Sequence, residues 1–284
     1  MLEIRNLNFS IRKKHIIEDF SYQFKAGVYG LLGANGAGKS TLIRCLTGVY
    51  PLKKDAIFYD GMAISKSKAY SKVMSYLPQQ FGLFKDLTVK EMMIMMASLK
   101  DVNTKNNPTI VEECVALVNL SDKLNEKVKT LSGGMIRRLG VAQTLLNNPK
   151  VIIFDEPTAG LDIEERLRFK NIISEISKDR IIIISTHIAT DIEALCDEVI
   201  VMKDKGILFA GSCEAIARQA QDKTYVLLQN ELSNIEKNYH IQGYFSEKNI
   251  NYVKIIIDNA SNISGATPVE PTIEDGYICL LKDI

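Results

Sequence analysis

The sequence predicts an α/β fold with a mostly parallel central sheet, and three features carry that expectation. Val28-Tyr29-Gly30-Leu31-Leu32 is a short apolar run that passes straight into a glycine-rich loop. Val151 to Phe154 and Ile181 to Ile184 are two more short, β-branched runs bounded by polar residues. Between these two, Glu164 to Ser177 has helical spacing. Strands buried on both faces of a parallel sheet read as continuous apolar runs rather than alternating ones. Strand, helix, strand in that order is the βαβ unit from which such sheets are built.

The remaining elements follow in order. Residues 2–11 and 20–24 alternate apolar and polar side chains in strand fashion. The short basic run Arg12-Lys13-Lys14 between them reads as a solvated turn. Ser40 to Thr47 reads as a helix, stopped by Gly48 and Pro51. From Val89 to Leu146 the patterning is helical with almost no strand signal, which predicts a helical insertion spanning about 80–148. Past residue 215 the texture shifts towards Asn, Lys and short strands such as Tyr225 to Leu228 and Tyr252 to Ile257. Pro268 and Pro271 then precede a short amphipathic segment, Thr272 to Leu281. A main domain of residues 1–215 and a small C-terminal domain of residues 216–284 are expected.

Composition narrows the function classes. The 284 residues are 46% hydrophobic and 24% charged, ordinary values for a globular protein with a sizeable core. A formal charge of +1 offers no basic field for nucleic acid. Cys45, Cys114, Cys196, Cys213 and Cys279 lie far apart with no C-x-x-C pair. That supports neither a disulfide framework nor a zinc site, and fits a reducing cytosol. The start, MLEIRNLNF, lacks the basic-then-apolar layout of a signal peptide. No apolar run approaches the roughly 18 residues of a spanning helix, so a soluble protein is expected.

Three motifs carry chemistry. Gly33-Ala34-Asn35-Gly36-Ala37-Gly38-Lys39-Ser40, followed by Thr41, matches the phosphate-loop pattern G-x-x-x-x-G-K-[ST] between a predicted strand and a predicted helix. Glycines let backbone N–H groups close around phosphate oxygens, and the helix start points its positive end at the anion. Lys39 would reach the β- and γ-phosphates, and Ser40 would ligate Mg²⁺. Next, Val151-Ile152-Ile153-Phe154-Asp155-Glu156-Pro157 is an apolar strand ending in two carboxylates. The first, Asp155, is placed to hold Mg²⁺. Glu156, facing the other way, is placed to act as a general base on a water. Finally, Leu131-Ser132-Gly133-Gly134-Met135 opens a convincing helix with an N-cap residue type and two glycines that permit close approach to an anion.

Taken together, residues 2–215 resemble the ATP-binding cassette (ABC) family, a P-loop NTPase (RecA-like) core with an N-terminal antiparallel β region, a helical insertion and, here, a small C-terminal α+β extension. By position, 33–41 is similar to the Walker A loop, 131–135 to the signature and 151–157 to the Walker B strand with its catalytic glutamate. Gln79 matches the glutamine that contacts Mg²⁺ and the attacking water. Asp162, in Ala159-Gly160-Leu161-Asp162, matches the D-loop, and His187, in Ser185-Thr186-His187, the switch histidine. The chain departs from the pattern twice. Met135 stands where glutamine is commonest, a variant associated with bacterial exporter-type cassettes. Ile11 stands where most relatives carry the aromatic residue that stacks on adenine.

The resemblance implies an ATPase that uses ATP and Mg²⁺ and dimerises head to tail. Each ATP would lie between one subunit's phosphate loop and the other's Ser132-Gly133-Gly134 turn. The other copy would be identical or paralogous. A separate integral membrane subunit would do the transport, here export, and would be the only link to the membrane. The chain would then sit in the cytoplasm at the inner face of the cell membrane. The helical insertion, rich in Met92, Met93, Met95 and Met96, would either form a partner groove or be an ordinary methionine-rich core. The closing Pro271-Thr272-Ile273-Glu274-Asp275-Gly276 resembles the C-terminal segment of bacterial drug, peptide and antibiotic exporter ATPases. Two other classes stand beside this reading: a non-transport ABC ATPase, which usually joins two cassettes in one chain, and a regulatory nucleotide-binding module, which would lack Lys39, Asp155 or Glu156. All three are present.

Overall fold

The N-terminal alternation forms β1 (Leu2–Ile11) and β2 (Lys14–Phe24), an antiparallel hairpin, in a computed structural model that describes residues 1–102, 109–235, 238–258, 265–282 and 284. β2 begins at Lys14 rather than at residue 20, because Lys14 to Ile17 already pairs with Ile11 to Phe9. The adjacent apolar pair Ile16-Ile17 breaks the period of two that would have announced this strand.

β3 (Gly27–Leu32) leads through the glycine-rich loop into α1 (Lys39–Leu46). Then come β4 (Ile57–Tyr59), β5 (Met62–Ala63), α2 (Lys68–Val73) and β6 (Met74–Leu77). The insertion supplies α3 (Val89–Leu99), α4 (Ile110–Leu117) and α5 (Gly133–Leu145). A capping box, Thr88 with Glu91, starts α3. β7 (Val151–Asp155), α6 (Ile163–Ile176), β8 (Ile181–Thr186), α7 (Ala189–Leu195), β9 (Glu198–Lys203), β10 (Gly206–Ser212) and α8 (Cys213–Ala217) follow.

The central sheet has the order β10-β9-β3-β8-β7-β6, parallel from β9 to β6 with β10 antiparallel at the edge. Both faces are covered, which explains the continuous apolar runs. Val28, Ile152, Phe154, Ile182 and Ile184 pack into one cluster with the insertion and α6. Tyr29, Leu31, Val151, Ile153, Ile181 and Ile183 face the other way, onto α1 and the sheet ordered β2-β1-β4-β5. Met92 and Met93 are buried in the first cluster and Met95 and Met96 pack against it, so these methionines build the insertion's own core.

Beyond residue 215 lie β11 (Thr224–Leu228), β12 (Tyr239–Glu247), β13 (Ile250–Ile257), β14 (Thr267–Pro268) and α9 (Ile273–Lys282). The four strands form an antiparallel sheet ordered β12-β13-β11-β14. α9 returns to the main sheet, and Ile273 joins Leu32, Ile192, Val199, Val201 and Ile216 in one buried cluster. Lys254 of β13 pairs with the buried Asp275 of α9 at 2.6 Å, so the small sheet is tied to the helix that docks it.

Candidate functional site

Lys39 follows β3, Gln79 follows β6, Glu156 follows β7 and His187 follows β8. These four strands are parallel neighbours, so their carboxyl ends deliver four sequence-distant motifs to one edge of the sheet, where open α/β sheets bind ligands. The resulting cleft is lined on one side by Asn35, Gly36, Gly38, Lys39, Ser40 and Thr41, and on the other by Gln79, Glu156 and His187. Ala34 and Ala37 line the adjoining hollow on the outer side of the loop.

Gly36 and Gly38 have φ of 88° and 106°, left-handed values that turn the loop back on itself and that a side chain would resist. Lys39 is 6% exposed, and its ammonium donates to the carbonyls of Gly33 and, at 3.3 Å, Ala34. Burial lowers its pKa, while the charges of Glu156 and Asp155 pull the other way.

Across the cleft, Glu156 has φ 47°, a left-handed conformation in a residue with a side chain, which costs roughly 1–3 kcal/mol and persists only where neighbours hold it. Its N–H donates to the Ser185 carbonyl and lies 3.1 Å from the Ser185 hydroxyl oxygen. This turn separates the two carboxylates. Asp155 stays within β7, 8% exposed, accepting from Ser185 Oγ at Oδ1 and from Tyr76, 3.5 Å away, at Oδ2. Burial and, secondarily, that carboxylate push the Tyr76 phenol up to about 12. Glu156 instead turns into the cleft, where Gln79 Nε2 donates to Oε2 at 3.0 Å and His187 Nδ1 lies 3.0 Å from Oε1.

Ser40, Gln79 and Asp155 are hard oxygen donors gathered at the carboxyl ends of β3, β6 and β7. Mg²⁺ takes one or two carboxylates and leaves its remaining positions to water and phosphate, so this set fits that ion.

Ser132, Gly133, Gly134 and Asp162 do not line this cleft. Ser132 caps α5 by accepting the Met135 N–H at 3.2 Å, and a hydroxyl used in this way keeps its own hydrogen to donate. Asp162 caps α6 in the same manner, accepting from Glu165 N–H at 2.8 Å.

Ile11 lies apart from the phosphate loop. It is 41% exposed at the end of β1 and lines neither hollow beside the phosphate loop, whereas Ile16 and Lys14 line both. The hairpin register shifts between Phe9 and Ser10, and Ile16 lies directly over the loop, its Cγ2 3.8 Å from where a Cβ on Gly38 would stand. Phe9 is engaged elsewhere, stacked on Tyr50 at 5.1 Å between ring centroids. The sequence also leaves unannounced the supports of the site. Ser185 donates to the Asp155 carboxylate and accepts from the Glu156 main-chain N–H, and buried Asp191 at the start of α7 accepts from Thr158 at 2.6 Å, tying the segment after His187 to the turn after Glu156. Ser185 could have been found from its place two residues before His187; Asp191 carries no such signal.

The family model described as ABC transporter matches residues 17–159. An uncharacterised ABC transporter ATP-binding protein of Bacillus subtilis (strain 168), YhcH, is 36% identical over 207 residues, covering 72% of this chain and 67% of the relative. The Nod factor export ATP-binding protein I of Burkholderia lata is 30% identical, covering 85% and 83%. Among solved structures, cbiO1 from Clostridium perfringens, part of the ABC transporter complex cbiONQ, superposes with a TM-score of 0.70 at 26% identity, covering 77% of this chain and 91% of that one.

Proposed function

The chain belongs to the ABC transporter family as an ATP-binding subunit, and from that premise we propose how its residues divide the work of ATP hydrolysis. The subunit binds ATP and hydrolyses it to drive transport. The observation that carries the residue assignment is Glu156, whose carboxylate is held by Gln79 and His187 directly across the cleft from Lys39.

In this assignment the phosphate-loop N–H groups and Lys39 hold the β- and γ-phosphates. Glu156 accepts the proton of a water as its oxygen bonds to the γ-phosphorus and the bond to the ADP oxygen breaks. Gln79 orients that water, and His187 steadies the carboxylate and the departing phosphate. Catalysis of this kind is mostly positioning and charge stabilisation. Ser40, Gln79 and Asp155 would hold Mg²⁺, which neutralises phosphate charge when bound.

A head-to-tail dimer is supported by the placement of Ser132, Gly133, Gly134 and Asp162 away from their own subunit's cleft. There they remain free to face the nucleotide of a second copy. The partner that ATP drives is an integral membrane subunit, and export is the direction that Met135 and the Nod factor export relative favour. No described helix is long and apolar enough to cross a membrane, and in this reading the membrane path is the partner's. Residues 216–284 form a small domain carried on the ATPase core through α9.

Glu156→Gln tests the assignment. The amide keeps the shape, can accept from Gln79 and donate to His187, and cannot take a proton. ATP affinity should persist while phosphate release falls by about 10²–10⁴, leaving an ATP-bound dimer on size-exclusion chromatography. Turnover within about threefold of wild type would remove Glu156 as the base.

A further inference from the structure

Arg137 carries a buried charge that this mechanism does not use. It lies in the second turn of α5, is 9% exposed, and has no carboxylate partner among the described residues. A cation buried without a counter-ion is costly unless its donors are satisfied, and burial lowers its pKa. All three guanidinium nitrogens donate to main-chain carbonyls: Nε to Pro157 at 2.7 Å, Nη1 to Gln79 at 2.9 Å and Nη2 to Glu156 at 2.6 Å. The planar fork of arginine is the side chain suited to bridging several fixed acceptors at once.

The loop after β6 is held on the same helix at a second point. Phe81 lies 5.7 Å from the Arg137 guanidinium, and its ring fills a notch over Gly140, where a Cβ would stand 2.4 Å from Phe81 Cζ. Two of the three acceptors are therefore the backbones of the residues that flank the reacting water in the proposed function, one of them in a strained conformation. The helix that joins them is the one capped by Ser132.

We propose that Arg137 is a positioning residue for hydrolysis, fixing the main chain of Glu156 and Gln79 relative to each other from the helix that begins at Ser132. In a head-to-tail dimer, contact with the partner's nucleotide and alignment of the subunit's own base then share one rigid element. The proposal rests on the assignment of Glu156 and Gln79. It also differs in its consequences from a purely structural role, which would lower stability, ATP affinity and turnover together.

The test uses the full chain as wild type, Arg137→Gln, Arg137→Lys and Glu156→Gln. Melting temperature, ATP affinity, ATP-induced dimerisation, KM and kcat are read for each. Arg137→Gln should lose about a hundredfold in kcat, the scale of a misplacement near 1 Å, while KM, ATP affinity and dimerisation stay within about threefold. Arg137→Lys, which keeps the charge but can serve fewer of the three carbonyls, should recover part of that loss. A wild-type kcat in Arg137→Gln, or affinity falling in step with kcat, overturns the proposal. Should Arg137→Gln fail to fold, Arg137→Lys decides: reduced kcat at native melting temperature supports positioning, and undiminished kcat ends it. Normal turnover in Glu156→Gln would remove the base assignment. A defective Glu156→Gln beside a fully active Arg137→Gln would remove only the positioning role.

Discussion

Lys100, at the C-terminal end of α3, offers a quantitative test of how the helical insertion is held on the sheet. Its ammonium donates to the Gln143 carbonyl at 2.7 Å and to Ser75 Oγ at 3.2 Å, and burial lowers its pKa from 10.5 to about 8. The sign follows from proton counts. Between pH 8 and 10.5 the unfolded chain holds a proton on this lysine that the folded chain has lost, so stability rises with pH across that window and is flat below it. At neutral pH the charge then costs the fold about 3 kcal/mol relative to its neutral form, at roughly 1.4 kcal/mol per decade. Lys100→Met keeps the length of the stem and discards the charge. It leaves Ser75 its bond to Asn147 at 3.1 Å and deprives only the Gln143 carbonyl, at about 1 kcal/mol. The variant should therefore be more stable than wild type by about 2 kcal/mol at pH 7 and less stable by about 1 kcal/mol above the unfolded-state pKa. Urea unfolding of both proteins at matched pH reads the difference, in which the other lysines and tyrosines cancel. Two curves that run parallel through the window, or a variant weaker at pH 7, would refute the reasoning.

Two further outcomes are expected. Ser132→Arg should leave ATP affinity of the monomer within about threefold of wild type while abolishing the ATP-induced dimer, because a bulky cation at that cap blocks only the other subunit's nucleotide; equal loss of monomer binding would place Ser132 in its own cleft. If the nucleotide lies against Ile16, which lines both hollows beside the phosphate loop, Ile16→Ala should weaken ATP by up to about tenfold through lost apolar contact, whereas Ile11→Ala and Ile11→Tyr should change nothing; nucleotide titrations that respond at Ile11 and not at Ile16 would place the nucleotide at Ile11 instead.

The parts of the site that the sequence announces are those whose chemistry and local structure coincide. The phosphate loop joins a strand to a helix within a dozen or so residues, so its role and its place are read together. Asp155 and Glu156 end an unbroken apolar strand, and the sheet in which that strand lies could be inferred from its burial on both faces. Where the determining contact is distant, the signal vanishes. Arg137 reads as one more basic residue on a helix, because its acceptors are carbonyls supplied by any residue type. That Ile16 lines the hollows beside the phosphate loop is hidden because the hairpin's shifted register breaks the rule of alternation, and counting along β1 leads to Ile11 instead. β12 carries no strand signal because His240, Gln242 and Gly243 interrupt its apolar pattern, and pairing with β13 alone makes it a strand.

The left-handed backbone of Glu156 places folding and chemistry in competition at one position. Residues that settle easily into that conformation are glycine and, less readily, asparagine and aspartate, and none of them presents a carboxylate at the reach of a glutamate. Drift toward greater robustness would favour such a replacement, since it relaxes the turn and leaves the bonds from Ser185 and Arg137 to the main chain in place. A chain so altered would fold at least as well and, on the assignment above, do nothing. Selection for thermal endurance alone would therefore be expected to erode this site first, and a stabilised variant of the protein is best screened by turnover rather than by melting.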